Sequence, residues 1–242
     1  DTPESDPPAF LALADESQSL DLVTDQARIF RLPVRELPAS PVRSRGQSIL
    51  ARLPLNPGER LALILPDDGE PYVALLTARG HVLWFAAHLF GEKLRPGTIL
   101  YDTARLGPPS AACWSPADAD LFIATRLGYA IRFPARLVPV RGCLGIRLER
   151  DDTAIAIAAV HEESGVFMLG ADGSGAIRQM VGFKANKAPG AGGKIAMKTE
   201  RLVGALPISG EPGDAACDIF AISRLGKIIR FSAAEVPPKE GP

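Results

Sequence analysis

Apolar and polar positions alternate in short runs along this chain. RIFRL (28–32), HVLWF (81–85), YAIRF (129–133), GAIRQ (175–179) and KIIRF (227–231) each have the period of a half-buried strand. A more continuous apolar run precedes each: LDLVT (20–24), YVALLT (72–77), DLFIAT (120–125), GVFMLG (165–170) and DIFAIS (218–223). Gly80, Gly128, Gly175 and Gly226 lie between the two runs, with Ala27 in the first copy. Glycine accepts a left-handed turn conformation, so each pair of runs predicts a β-hairpin.

The hairpins recur. Taking Arg31, Trp84, Arg132, Arg178 and Arg230 as anchors, the steps are 53, 48, 46 and 52 residues. A loop and a third strand follow in RSRGQSILARL (43–53), RPGTILYD (95–102), VRGCLGIRL (140–148) and GAGGKIAMK (190–198). A fourth strand follows in RLALILPDD (60–68), AACWSPAD (111–118), AIAIAAVHEE (154–163) and LVGALPISG (202–210). Five units of four short strands predict an all-β, propeller-like ring over residues 9–238. AFLALADES (9–17) resembles an unattached fourth strand and is expected to close the ring on the fifth unit, so removing exposed strand edges. Residues 1–8 are expected to form a linker and 239–242 a tail. The alternation also places the anchor arginine on the face opposite its apolar neighbours, which marks it as a candidate for solvent.

Charge changes this picture. The net charge is −1, but residues 1–26 hold seven acids and no Lys or Arg. The remaining 27 basic and 21 acidic residues give residues 27–242 a charge of +6. Such a body suits a polyanion, and the acidic leader could fold against it as a brake. Trp84 and Trp114 read as packing between units. Cys113, Cys143 and Cys217 form no CxxC pair, so neither a disulfide framework nor a zinc site is expected and a reducing cytoplasm is. No apolar run reaches the roughly 18 residues of a membrane span. His81, His88 and His161 are scattered, and HEES (161–164) is not HExxH. GADGSGAIRQ (170–179) lacks the Gly-Lys-Ser/Thr of a phosphate loop and reads as an enlarged hairpin turn. No metal, cofactor or catalytic group is expected.

ATRLGYAIRFPARLVPVRGCLGIRL (124–148), ISRLGKIIRFSAAEVP (222–237), VTDQARIFRLPVRELP (23–38) and LVGALPIS (202–209) together resemble the repeats of the DNA gyrase A C-terminal domain and its topoisomerase IV counterpart. The resemblance implies a β-pinwheel whose blades exchange strands. It implies an accessory domain, without the catalytic tyrosine region, that binds and bends duplex DNA around its rim for strand passage. It also implies a cytoplasmic, nucleoid-associated setting and, as partners, the breakage-reunion region and the ATPase subunit; the isolated domain is expected to be monomeric. Gyrase carries a basic box, Q-R-R-G-G-K-G; its nearest matches here are Ala191-Gly192-Gly193-Lys194 and Arg43-Ser44-Arg45-Gly46-Gln47. That leaves gyrase and topoisomerase IV parentage both open. The expected phosphate contacts are Arg31, Arg132, Arg178 and Arg230 at the anchors, Arg35 and Arg136 four residues later, and the loop cations Arg43, Arg45, Arg95, Arg141, Lys184, Lys187, Lys194, Lys198 and Lys227. The alternative is a propeller that serves as a protein-interaction module without wrapping DNA.

Overall fold

The computed structural model describes residues 9–41, 44, 46–90, 93–208 and 217–239. They build five sheets, four of them four-stranded. β1 (Ser19–Thr24), β2 (Arg28–Pro33) and β3 (Leu61–Pro66) begin the first sheet. β4 (Tyr72–Thr77) and β5 (His81–Ala86) form the second hairpin, followed by β6 (Thr98–Ile99), the single helical turn α1 (Thr103–Leu106) and β7 (Pro109–Ser115). β8 (Asp120–Thr125), β9 (Tyr129–Pro134), β10 (Cys143–Leu144) and β11 (Ala154–Val160) make the third unit. β12 (Gly165–Gly170), β13 (Gly175–Gln179), β14 (Lys194–Ile195) and β15 (Leu202–Ile208) make the fourth. β16 (Asp218–Ile222), β17 (Ile228–Ser232) and β18 (Pro238–Lys239) end the chain of elements.

The sheets do not coincide with the sequence units. Their strand orders are β3-β1-β2-β6, β10-β5-β4-β7, β11-β8-β9-β14 and β15-β12-β13-β18, with β16-β17 alone in the fifth. The outermost strand of each of the first four sheets thus comes from the following unit. The exchange is clamped at the hairpin turn. The Gly80 carbonyl accepts from the Gly145 and Ile146 amides at 2.8 and 3.1 Å, and the Gly128 carbonyl from those of Ala196 and Met197 at 2.9 and 3.2 Å. Gly128 has φ 82°, and a Cβ there would lie 2.1 Å from the Met197 carbonyl oxygen. This turn needs glycine both for its left-handed backbone and for the closeness of the donated strand.

Each pair of neighbouring sheets shares an apolar layer. Val23 and Ile29 pack with Val73, Leu75 and Trp114; Leu76 and Val82 with Ile123 and Ile131; Phe122 and Ala130 with Val166 and Met168; Phe167 and Ile177 with Ile219 and Phe231. The inner strands β3, β7, β11 and β15 surround an apolar cavity of about 300 Å³ that Phe10 also lines. Trp114 Nε1 donates across to the Pro66 carbonyl at 2.6 Å, and Trp84 stacks on Tyr72 at 3.9 Å, so both indoles are packing groups.

Several expectations need correction. Residues 9–14 belong to no element and are exposed, and no strand pairing joins the first and fifth sheets among the described residues. Residues 9–17 therefore do not close the ring. The described residues 46–53 supply no strand either: Ile49–Arg52 is a 3-10 turn, and Ile49, Leu53 and Leu55 cover Leu20, Leu22, Phe30 and Leu32 on one face of the first sheet. The apolar residues of this segment bury their own unit's face instead. Lys239, expected in a tail, pairs in parallel with Arg178 as part of β18. Residues 1–8 and 240–242 lie outside the described residues.

Candidate nucleic-acid interface

The anchor arginines sit on the second strand of each hairpin, and their surroundings differ from the expectation of solvent. Arg132 is 3% exposed. Its Nε donates to Asp120 at 2.7 Å, Nη2 to Glu162 at 2.8 Å, and Nη1 to the carbonyls of Met180 and Phe183 at 2.8 and 3.3 Å. The side chain thus ties the third sheet to the start and end of the fourth unit's hairpin. Arg31 donates to the fully buried Asp21 at 3.2 Å and also to Asp67. Arg230 is exposed, and its Nε donates to Asp218 at 2.8 Å. Arg178 is 6% exposed, and its Nε and Nη1 are buried without a partner. Burial lowers its affinity for the proton from the usual arginine value.

A sequence signal for this role exists. Asp120 precedes Arg132 by twelve residues, and Asp218 precedes Arg230 by the same twelve. In an antiparallel hairpin with a three-residue turn that separation makes the two side chains diagonal neighbours on one face. Tyr72 and Trp84 occupy the same pair of positions and stack instead. Two carboxylates share the Arg31 guanidinium, and burial pushes the Asp21 carboxyl up to about 7. Asp21, which the sequence places in an acidic leader, is thus part of the first sheet's interior. Asp25, in the hairpin turn after β1, accepts from the Arg60 amide at 3.0 Å.

Other cations do face outward. The outermost strand of each four-stranded sheet carries an exposed cation in it or within three residues before it. These are Arg95 before β6, Arg141 before β10, Lys194 in β14 and Lys239 in β18. Arg35 and Arg136 lie exposed in the 3-10 turns Val34–Glu36 and Ala135–Leu137 that follow β2 and β9. Lys184, Lys187, Lys198 and Lys227 are exposed as well, and Lys194 Nζ donates to the Lys184 carbonyl at 3.1 Å over the Phe183 ring. Arg43 and Arg45 fall outside the described residues. Lys239 escapes a reading of the sequence because of its place near the chain end. His81, which the sequence leaves among scattered histidines, borders a 270 Å³ cavity with Arg105 and Arg141, and burial together with Arg105 and Arg79 pulls its pKa down. No group of three His, Cys, Asp or Glu among the described residues is placed to hold a metal ion. No helix among them is long and apolar enough to cross a membrane.

The family model described as "DNA gyrase C-terminal domain, beta-propeller" matches residues 22–66, 119–161 and 218–239. The DNA gyrase A protein of Mycobacterium bovis is 28% identical over 229 residues, 88% of this chain and 26% of the relative. The solved DNA gyrase A C-terminal domain superposes with a TM-score of 0.75 at 20% identity, covering 93% of this chain and 75% of the other. The C-terminal domain of DNA topoisomerase IV gives 0.68 at 16% identity, covering 93% and 72%. The chain is similar in sequence to gyrase A proteins and shares the fold of the gyrase A C-terminal domain. It spans about a quarter of the length of the gyrase A proteins it matches, and the family match is to the C-terminal domain alone.

The family model covers the first, third and fifth units, and less than half of the chain. The two it passes over depart at the anchor: unit two has Trp84 there, and unit four has a longer hairpin turn. The segment nearest the basic box is built into the strand exchange. Gly192 bridges to Arg147, a Cβ on Gly193 would lie 2.8 Å from the Tyr129 Cβ, and Lys194 opens β14. Its glycines serve close packing between the third and fourth units, and Lys194 keeps an exposed side chain.

Proposed function

We propose that this domain binds duplex DNA through its backbone phosphates along the outer rim, bends it, and presents it for strand passage by a type IIA topoisomerase. The single observation that supports this reading is the exposed cation at the outermost strand of each of the four complete sheets. Strand exchange sets these groups around the perimeter, where a curved duplex offers a regular series of negative charges. Arg95, Arg141, Lys194 and Lys239 are the principal contacts, flanked by Arg35, Arg136, Lys184, Lys187, Lys198 and Lys227. Arg31, Arg132 and Arg230 act indirectly, by fixing the sheets that carry the rim. The contacts position the duplex without reading bases. The domain's partners in this role are the breakage-reunion region and the ATPase subunit of the parent enzyme, in the cytoplasm. The test is duplex binding over a salt series. Sequence-tolerant binding with a steep salt dependence supports the reading, and no binding to a linear duplex at low salt overturns it.

A second reading has one observation in its favour. The free face of the fifth sheet exposes Phe220 and Ile228, with Leu225 exposed in the hairpin turn, an apolar surface suited to a protein partner. A folded domain that ignores DNA and retains a protein partner through that face would favour it.

A further inference from the structure

Arg178 differs from the other anchor arginines in a way that sequence alignment by anchor conceals. The turns of the other four hairpins place three residues between the last residue of one strand run and the first of the next. The turn 171–174 has four. Arg132 therefore pairs with Phe122, whereas Arg178 pairs with Val166, one position out of register. A one-residue slip exchanges the faces of a strand. Arg178 is thereby turned toward the third sheet, on the face of Val166 and Met168. Gly165 stands where the third and fifth sheets have Asp120 and Asp218, and among the described residues Arg178 forms no ion pair. A guanidinium 94% buried with two N–H groups unpaired is costly. Arg178 borders a cavity of about 290 Å³ at the mouth of the groove between the third and fourth sheets. Lys198 and Lys239 also line that cavity, as do Ser174 and Met197, and no carboxylate does.

The geometry points to a discrete oxoanion site here, with phosphate-type chemistry, in which a tetrahedral anion supplies the charge that Arg178 lacks and is held by Lys198 and Lys239. The anion is either a phosphate of a duplex backbone, which deepens the function proposed above and rests on it, or a phosphate-bearing solute, which does not. A phosphate accepts several charge-assisted hydrogen bonds at once, and arginine is well matched to it.

The test is calorimetric titration of the whole chain with inorganic phosphate, against chloride at equal ionic strength. One saturable site is expected, with affinity about tenfold weaker in Arg178→Met and in the double variant Lys198→Ala/Lys239→Ala. The two lysines are exposed, so the double variant serves should Arg178→Met fail to fold. No saturable phosphate heat, or equal binding by wild type and both variants, overturns the site. Competition separates the sources. If phosphate displaces a labelled duplex beyond the matched chloride effect, and the variants weaken duplex binding, the occupant is a backbone phosphate. If the variants bind duplex as wild type does, it is a free solute. If phosphate binds and no duplex does, the site stands and the function proposed above falls.

Discussion

At the scale of single residues, one arginine position gives different energetic outcomes because burial differs. Arg132, Asp120 and the Met180 and Phe183 carbonyls are largely out of water, while Glu162 is exposed, so truncation strands Asp120 and two carbonyls. Arg132→Ala should cost about 3–5 kcal/mol, read from the urea midpoint. Arg230→Ala removes an exposed pair and should cost under about 1 kcal/mol in the same measurement. Neither change should lower the duplex affinity of the folded protein, because neither side chain belongs to the proposed rim contacts. Asp21 gives the pH dependence its sign. Its folded-state pKa of about 7 exceeds the ordinary value of 3.8. Between those values the folded state holds a proton that the unfolded state has lost, so this group's contribution to stability falls as pH rises from about 4 to about 7. Thermal midpoints across that range should show Asp21→Asn with this component of the slope removed.

At the scale of elements, the hairpin turn does more than reverse the chain. Its glycine carbonyl receives the strand donated by the next unit, and its length decides which face the anchor residue occupies. Gly128→Ala would force a Cβ against the Met197 carbonyl in a left-handed backbone. A cost of at least about 2 kcal/mol is expected. Hydrogen exchange should rise first in the amides of Ala196 and Met197, which bond to the Gly128 carbonyl. Ala27, with φ 55°, fills the equivalent position in the first sheet and accepts the Leu100 amide, at 2.8 Å. The pairing of strands within each hairpin was legible from alternation and spacing. The owner of the outer strand was not, since the two residues of β6, β10 or β14 carry too little pattern to name a partner.

At the scale of the whole molecule, the sheets form a series with unlike ends. The first sheet is sealed by Ile49, Leu53 and Leu55 from its own unit, while the fifth leaves Phe220 and Ile228 exposed. An apolar face needs a cover, and in the first unit the segment after β2 provides it. The rim is where charge acts collectively. Replacing both Arg95 and Arg141 with glutamine should reduce the slope of log affinity against log salt by about 1.8, at about 0.9 per lost phosphate contact. Fluorescence anisotropy of a labelled duplex measures it, and the thermal midpoint should hardly move, because surface substitutions stay within about 0.5 kcal/mol.

Periodicity alone determined that this chain is all-β, built of five repeated hairpins, because strand alternation and turn glycines are local consequences of backbone sterics. It also disclosed a basic body, because composition requires no contacts to be read. Only the tertiary structure decided that the recurring arginine column is mostly interior. Exposure depends on what the neighbouring sheet places opposite, as Asp120, Glu162 and the Met180 carbonyl do for Arg132. It likewise decided that the outward cations ride on exchanged strands. That assignment is made by hydrogen bonds between units some fifty residues apart, such as those the Gly145 and Ile146 amides donate to the Gly80 carbonyl, which no local pattern records.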